Sequence, residues 1–315
     1  MNNNQIDTVL SGYIKPLKKY LDKTNIVEIC CNQPHELVIE DTRGNWEYFK
    51  DTKITRELFE NIANYLANKT TQRFDHKTPT FSGTLPGYGY RLQICSGAMV
   101  QSGIAVSIRV SQASSYPLES YMPKEEANKL MKYVEVGKTL LICAGTGCGK
   151  TTFLNSLIPY IPSDSRIISL QDTPELVIPH KNYVSLMKSK TDSDIAGLKY
   201  KHYMNAITRL YPTRVLLGEI DTDNVLAFLK LVNTGHSGSI STIHAENAHE
   251  AVNSLCINVQ MSGETNATVE SIREFALKAV DYFVVLTKHQ TDKGREFRAK
   301  IVSREEVKKG TEHEL

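Results

Sequence analysis

The order of apolar and polar positions divides the chain into two stretches of different grain. Ile6, Val9, Leu10, Tyr13, Ile14, Leu17 and Leu21 recur at helical spacing and predict an amphipathic first helix, with Pro16 placed to kink it. Short β-like runs follow at Ile26–Cys31, Leu37–Glu40 and Trp46–Phe49, then a helix that gathers Leu58, Phe59, Ile62 and Leu66 on one face. Tyr90–Ser96 and Ile104–Val110 read as two further strands, which completes an α+β unit. Ser111–Pro123 is rich in serine and proline, has no period, and reads as a linker. Beyond it, a helix over Glu126–Val134 precedes apolar runs at Thr139–Ala144, Ile167–Leu170, Val215–Leu217, Ile240–Ile243 and Phe283–Leu286. Apolar strands alternating with helical stretches predict a mainly parallel sheet covered on both faces. A turn at Thr291–Gly294 before Glu296–Val302 predicts a closing hairpin. The expected class is α/β, with domains at residues 1–112 and 124–315 joined by 113–123.

The segment richest in chemistry is Ala144-Gly145-Thr146-Gly147-Cys148-Gly149-Lys150-Thr151-Thr152. It has the form [A/G]-x-x-x-x-G-K-[S/T], directly after a buried strand and directly before a helix, as a P-loop requires. Its glycines let backbone N–H groups converge on phosphate oxygens, and the helix starting near Gly149 adds its positive end. Gly145, Thr146, Gly147, Cys148, Gly149, Lys150, Thr151 and Thr152 form the candidate nucleotide cradle, with Lys150 for the β- and γ-phosphates and the Thr151 hydroxyl for Mg2+. Thr287-Lys288-His289-Gln290 lacks the aspartate of a guanine reader, which favours ATP. In Arg214–Glu219 an acid ends a buried strand, where ligands of open α/β sheets sit. Glu219 is expected to polarise an attacking water or to hold Mg2+ through water. Arg166–Glu175 is a strand ending in Asp172 and Glu175, and Thr234–Glu246 carries His236 and His244. The histidine spacing fits no metal site, whereas a neutral histidine can donate a hydrogen bond to a γ-phosphate.

In this order, the four segments resemble the Walker A, Asp box, Walker B and His box of the secretion-ATPase superfamily. Within it the chain is most similar to the type IV secretion traffic ATPases of the VirB-eleven type. The likeness runs from Ile26 to the C-terminus and includes Ser82–Ile94 and Val106–Val110. It implies a RecA-like P-loop ATPase domain after the N-terminal domain, a homo-hexamer, and Arg91 and Arg109 reaching the phosphates. It adds Asp172, Glu175 and His244 to Glu219 as catalytic groups. It also implies a motor peripheral to the cytoplasmic face of the inner membrane, powering channel assembly and substrate translocation in secretion or conjugation. A channel-assembly ATPase and a membrane coupling protein are the expected partners.

The chain departs from the family pattern at several points. Gln171 stands where glutamate is usual, Asp221 where arginine is usual, and Tyr211-Pro212-Thr213-Arg214 replaces Arg-Pro-Asp-Arg. One extra residue lies in Leu85–Gly89. Gln171 can hydrogen-bond water but cannot accept a proton, so slow hydrolysis is expected, with Glu219 as the main water-activating group.

Composition narrows the alternatives. Of the 315 residues, 37 are basic and 35 acidic, a balance too even for a groove that neutralises phosphates. No sequence-specific nucleic-acid binding is expected, which disfavours a DNA or RNA motor. No apolar run approaches the roughly 20 residues of a bilayer span, and Met1–Gln5 has no signal-like pattern, so a cytoplasmic placement is expected. Six cysteines without a C-x-x-C pair predict reduced, buried thiols. They also leave out the four-cysteine zinc insert frequent in the type II branch. A type II or pilus ATPase remains one rival, and an ATP-gated scaffold with negligible turnover another.

Overall fold

Asp7 starts the first helix by accepting the Leu10 N–H on its side chain, and α1 (Thr8–Ile14) then stops short of Pro16. Proline has no N–H to donate, and its ring crowds the carbonyl of the preceding turn, so the chain breaks and restarts as α2 (Lys18–Leu21). One kinked helix was expected, and two short ones form. Leu10, Ile14, Leu17 and Leu21 are buried along one stripe, whereas Val9 is 52% exposed. The computed structural model describes residues 7–70, 72–110, 115–188, 197–291 and 294–310, so Ile6 lies outside the described residues.

The described chain divides into two units, one built on residues 7–110 with Asp172–Pro174 and residues 197–198, the other on the remainder. In the first, β1 (Ile26–Cys31), β2 (Glu36–Asp41) and β3 (Trp46–Lys50) precede α3 (Arg56–Lys69), and β4 (Thr80–Leu85), β5 (Tyr90–Ser96) and β6 (Ile104–Arg109) follow. Among the described residues they make a six-stranded antiparallel sheet in the order β3-β2-β1-β6-β5-β4. Thr55 caps α3 by accepting the Leu58 N–H, and Leu58, Phe59, Ile62, Ala63 and Leu66 form its buried stripe. They pack with Ile29, Leu37, Ile39, Phe81, Leu92, Ile94 and Ile108 from one face of the sheet. Strand β4 was not expected. Only Phe81 and Leu85 of Thr80–Leu85 are buried, too few for an alternation to stand out.

The second unit contains α4 (Lys124–Glu135), β7 (Leu140–Cys143), α5 (Lys150–Leu157), β8 (Ile167–Gln171), β9 (Tyr183–Met187) and α6 (Tyr200–Arg209). It continues with β10 (Arg214–Leu217), α7 (Val225–Asn233), β11 (Ile240–Ile243), α8 (Ala248–Met261), α9 (Val269–Ala279), β12 (Tyr282–Thr291), β13 (Gly294–Ser303) and α10 (Arg304–Lys309). Its sheet runs β13-β12-β7-β11-β10-β8-β9, parallel except for the β12–β13 hairpin. The α/β class is as the sequence predicted. The hairpin forms too, although residues 292 and 293 of its turn lie outside the described residues.

Alternate residues of each central strand feed two separate cores, which is why the strands read as unbroken apolar runs. Leu141, Cys143, Leu170, Leu217 and Ile243 join α6–α9 on one side. Leu140, Ile142, Leu216 and Ile240 join α4 and α5 on the other. The supposed linker is partly core. Residues 111–114 lie outside the described residues, but Leu118, Tyr121 and Met122 are buried, and the Tyr121 ring meets Phe153 edge-on at 4.9 Å. Strand β9 was also unforeseen, since its residues alternate between exposed and half-buried at the sheet edge. None of the six cysteines forms a disulfide, and Cys31, Cys143 and Cys256 are buried, while Cys30, Cys95 and Cys148 are half-buried. No described helix is long and apolar enough to cross a membrane.

Candidate functional site

Strand β7 delivers the chain into Ala144–Gly149, and α5 starts at Lys150. Gly147 and Gly149 take φ of 71° and 76°, the left-handed region that side chains resist, so glycine is what lets the loop fold back onto the helix start. Thr151 and Thr152 lie in the first turn of α5, and the half-buried Cys148 sits in the loop with its Sγ 4.0 Å from the Thr146 carbonyl oxygen. Lys150 turns back over this loop, donating to the Ala144 carbonyl at 3.3 Å.

Strand order then assembles the rest. β11 lies between β7 and β10, all three parallel, so the residues after their C-terminal ends meet above one edge of the sheet. Lys150 Nζ lies 2.9 Å from His244 Nδ1, His244 Nε2 lies 2.8 Å from Glu219 Oε1, and Lys150 Nζ lies 3.9 Å from the same carboxylate oxygen. Lys150 Nζ also lies 3.1 Å from His244 Nε2, so the ammonium sits close to both ring nitrogens, and a protonated lysine can only donate to them. Lysine, imidazole and carboxylate form one close cluster, with the Lys150 side chain 11% and that of Glu219 27% exposed. His236 does not join it. Its carbonyl accepts the Ser239 hydroxyl in the preceding turn. Among the described residues no group of three or more histidine, cysteine or acidic side chains is placed to hold a metal ion.

Glu219 is anchored by groups that sequence reading passed over. Asn224, 1% exposed, donates to the Glu219 carbonyl at 3.0 Å and accepts the Asp221 N–H at 3.1 Å. Asp221, where an arginine was the family expectation, accepts the Asp223 N–H and so serves this turn. Asn155, 3% exposed, holds the loop beyond β8. The available signal was an amide set among apolar neighbours, as in Phe153-Leu154-Asn155-Ser156-Leu157.

The remaining candidates are placed as follows. Arg91 Nη2 is 3.1 Å from Asp172 Oδ2. Arg109 stands directly opposite Arg91 on β5 and opposite Glu28 on β1, so two like charges face each other across a strand pair. Such a pairing is unfavourable by itself. Glu175 follows β8 in an irregular, half-buried loop. Gln171 differs from its expected role. It is 6% exposed, and its side-chain oxygen accepts the N–H groups of Glu175 and Leu176, so that oxygen is committed to the protein and not to a water.

Comparison with known proteins agrees with this architecture. The family model described as Type II/IV secretion system protein matches residues 16–288. The chain is 29% identical to the type IV secretion system protein VirB11 of Bartonella henselae over 86% of this chain and 87% of that one. It is 30% identical to VirB11 of Agrobacterium fabrum, over 90% and 91% of the two chains. Among solved structures it resembles the VirB11 ATPase of the Brucella suis type IV secretion system in complex with sulphate, with 25% identity, 96% of each chain covered and a TM-score of 0.50.

Proposed function

The chain belongs to the type II/IV secretion system protein family, and from that membership we propose that it is an ATPase that couples Mg-ATP hydrolysis to type IV secretion. The observation that carries the reading is the meeting of Lys150, His244 and Glu219 beside a glycine-turned loop at a helix start. A cation held there beside the Glu219 carboxylate, the His244 ring and the Ala144 carbonyl is ready to exchange such partners for phosphate oxygens. The loop fits a polyphosphate, because its two left-handed glycines present backbone to the ligand and α5 adds its positive end.

Gly145–Thr152 would hold the triphosphate, and the Thr151 hydroxyl and, through water, Glu219 would hold Mg2+. Bound there, the metal would neutralise phosphate charge. The Glu219 carboxylate orients and polarises water, and a neutral His244 donates a hydrogen bond to the γ-phosphate. Arg91 and Arg109, with Asp172 and Glu175, complete the proposed catalytic set, as the family resemblance suggests. A homo-hexameric ring, peripheral at the inner membrane and working with channel components, is the proposed setting of this activity.

The test is Lys150→Ala. Removing the cation should abolish tight ATP binding in calorimetry while leaving the folded state intact by circular dichroism. Unchanged ATP affinity would overturn this binding mode.

A further inference from the structure

Glu175 lies in a loop with no ladder partners, where buried backbone groups must find side chains to bond. Two buried carboxamides do this, and they take hold of the two sides of the same residue. The Glu175 N–H donates to Gln171 Oε1 at 3.0 Å, and the Leu176 N–H donates to the same oxygen at 2.9 Å. From the other side, Asn155 Nδ2 donates to the Glu175 carbonyl at 2.9 Å, while its Oδ1 accepts the Val177 N–H at 2.9 Å. Gln171 Nε2 in turn donates to Ser185 Oγ on β9 at 3.0 Å, and Ser169 Oγ lies 3.0 Å from the same hydroxyl. The donors facing each amide settle which atom is oxygen and which is nitrogen.

We propose that Gln171 and Asn155 are positioning residues that fix the backbone of Glu175 relative to the phosphate-loop helix and so the point from which its carboxylate reaches. Asn155 belongs to α5, the helix whose first turn carries Lys150, Thr151 and Thr152, and Gln171 ends β8. With N–H and C=O both held, the peptide planes on either side of Glu175 are fixed, and with them the Cα–Cβ direction from which its side chain extends. The inference rests on the ATP-site reading, within which Glu175 is an acid of the catalytic set. It also gives Gln171 a positive task where the sequence suggested a missing acid.

The two clamps differ in what they tolerate. Ser185 can turn its hydroxyl to donate to a carboxylate, so Gln171→Glu keeps every bond of its clamp. The Glu175 carbonyl can only accept, so Asn155→Asp sets two acceptors against each other. Asn155→Asp should therefore lower kcat by about 10- to 100-fold, the scale of a displaced catalytic group. Gln171→Glu should stay within about threefold of the parent, because the acceptor geometry is retained.

The decisive experiment is a double-mutant cycle on steady-state turnover at saturating Mg-ATP, with ATP affinity measured in parallel. Gln171→Met removes the clamp at nearly constant volume and should slow kcat with little change in affinity. Combined with Glu175→Gln, it should cost nothing further. Additive losses would overturn the proposal, since the clamp would then act on stability and not through Glu175. Parent-like turnover in Asn155→Asp would overturn it too. Parent-like turnover in Glu175→Gln would sink this inference alone, because the nucleotide site is judged separately by Lys150→Ala. If Gln171→Met does not fold, Asn155→Asp and Gln171→Glu carry the same test.

Discussion

Replacing Glu219 by glutamine separates what the carboxylate does for binding from what it does for turnover. The amide keeps the shape of the carboxylate and a polar atom facing His244 Nε2, which lies 2.8 Å from Glu219 Oε1, so that contact survives. The charge does not. Lys150 Nζ stands 3.9 Å from that carboxylate, and two unit charges at this distance attract by about 4 kcal/mol at an effective dielectric of about 20. Solvent reaches both side chains, so the net attraction is nearer about 1 kcal/mol. Phosphate competes with Glu219 for the same cation, and losing about 1 kcal/mol of competition tightens ATP binding by about fivefold. Turnover should move the other way, falling by about 10²- to 10⁴-fold, the usual worth of a positioned base. Calorimetry gives the affinity, and phosphate release at saturating Mg-ATP gives the rate. Turnover at the parent rate would refute Glu219 as the water-activating group. Binding weakened tenfold would refute the competition for Lys150.

Arg91→Ala and Arg109→Ala should each lower turnover more than ADP affinity, because ADP lacks the phosphate on which they are proposed to act. Equal losses for ATP and ADP would make both arginines structural. Chelation with EDTA should abolish turnover and added Mg2+ should restore it, with Thr151→Ala shifting the half-saturating Mg2+ upward. Turnover that survives chelation would remove the metal from the proposal. Gly238→Ala is a stability test. Gly238 has φ of 76°, and an added Cβ would lie 2.8 Å from the Arg214 side chain and 2.9 Å from the Gly137 Cα. Left-handed strain and overpacking cost about 2–4 kcal/mol together, which lowers Tm by roughly 5–15 °C. An unchanged melting curve would show that Arg214 moves aside freely.

Everything that depends on a few consecutive residues was written in the sequence. Ile26–Cys31, Tyr90–Ser96 and Ile240–Ile243 stood out as strands because their burial pattern is also their composition. The P-loop stood out because a buried strand, left-handed glycines and a helix start follow one another directly. Where local composition was mixed, as in Thr80–Leu85 and Tyr183–Met187, pairing with a neighbouring strand made the element and no periodicity announced it. Lys150 and His244 are 94 positions apart and meet only because β11 lies beside β7. The same holds for Gln171. Its identity suggested a lost acid, but its neighbours Glu175, Leu176 and Ser185 make it a clamp. A hydrogen-bonding group has several possible partners, and only the tertiary structure, by burying it beside some and not others, selects among them.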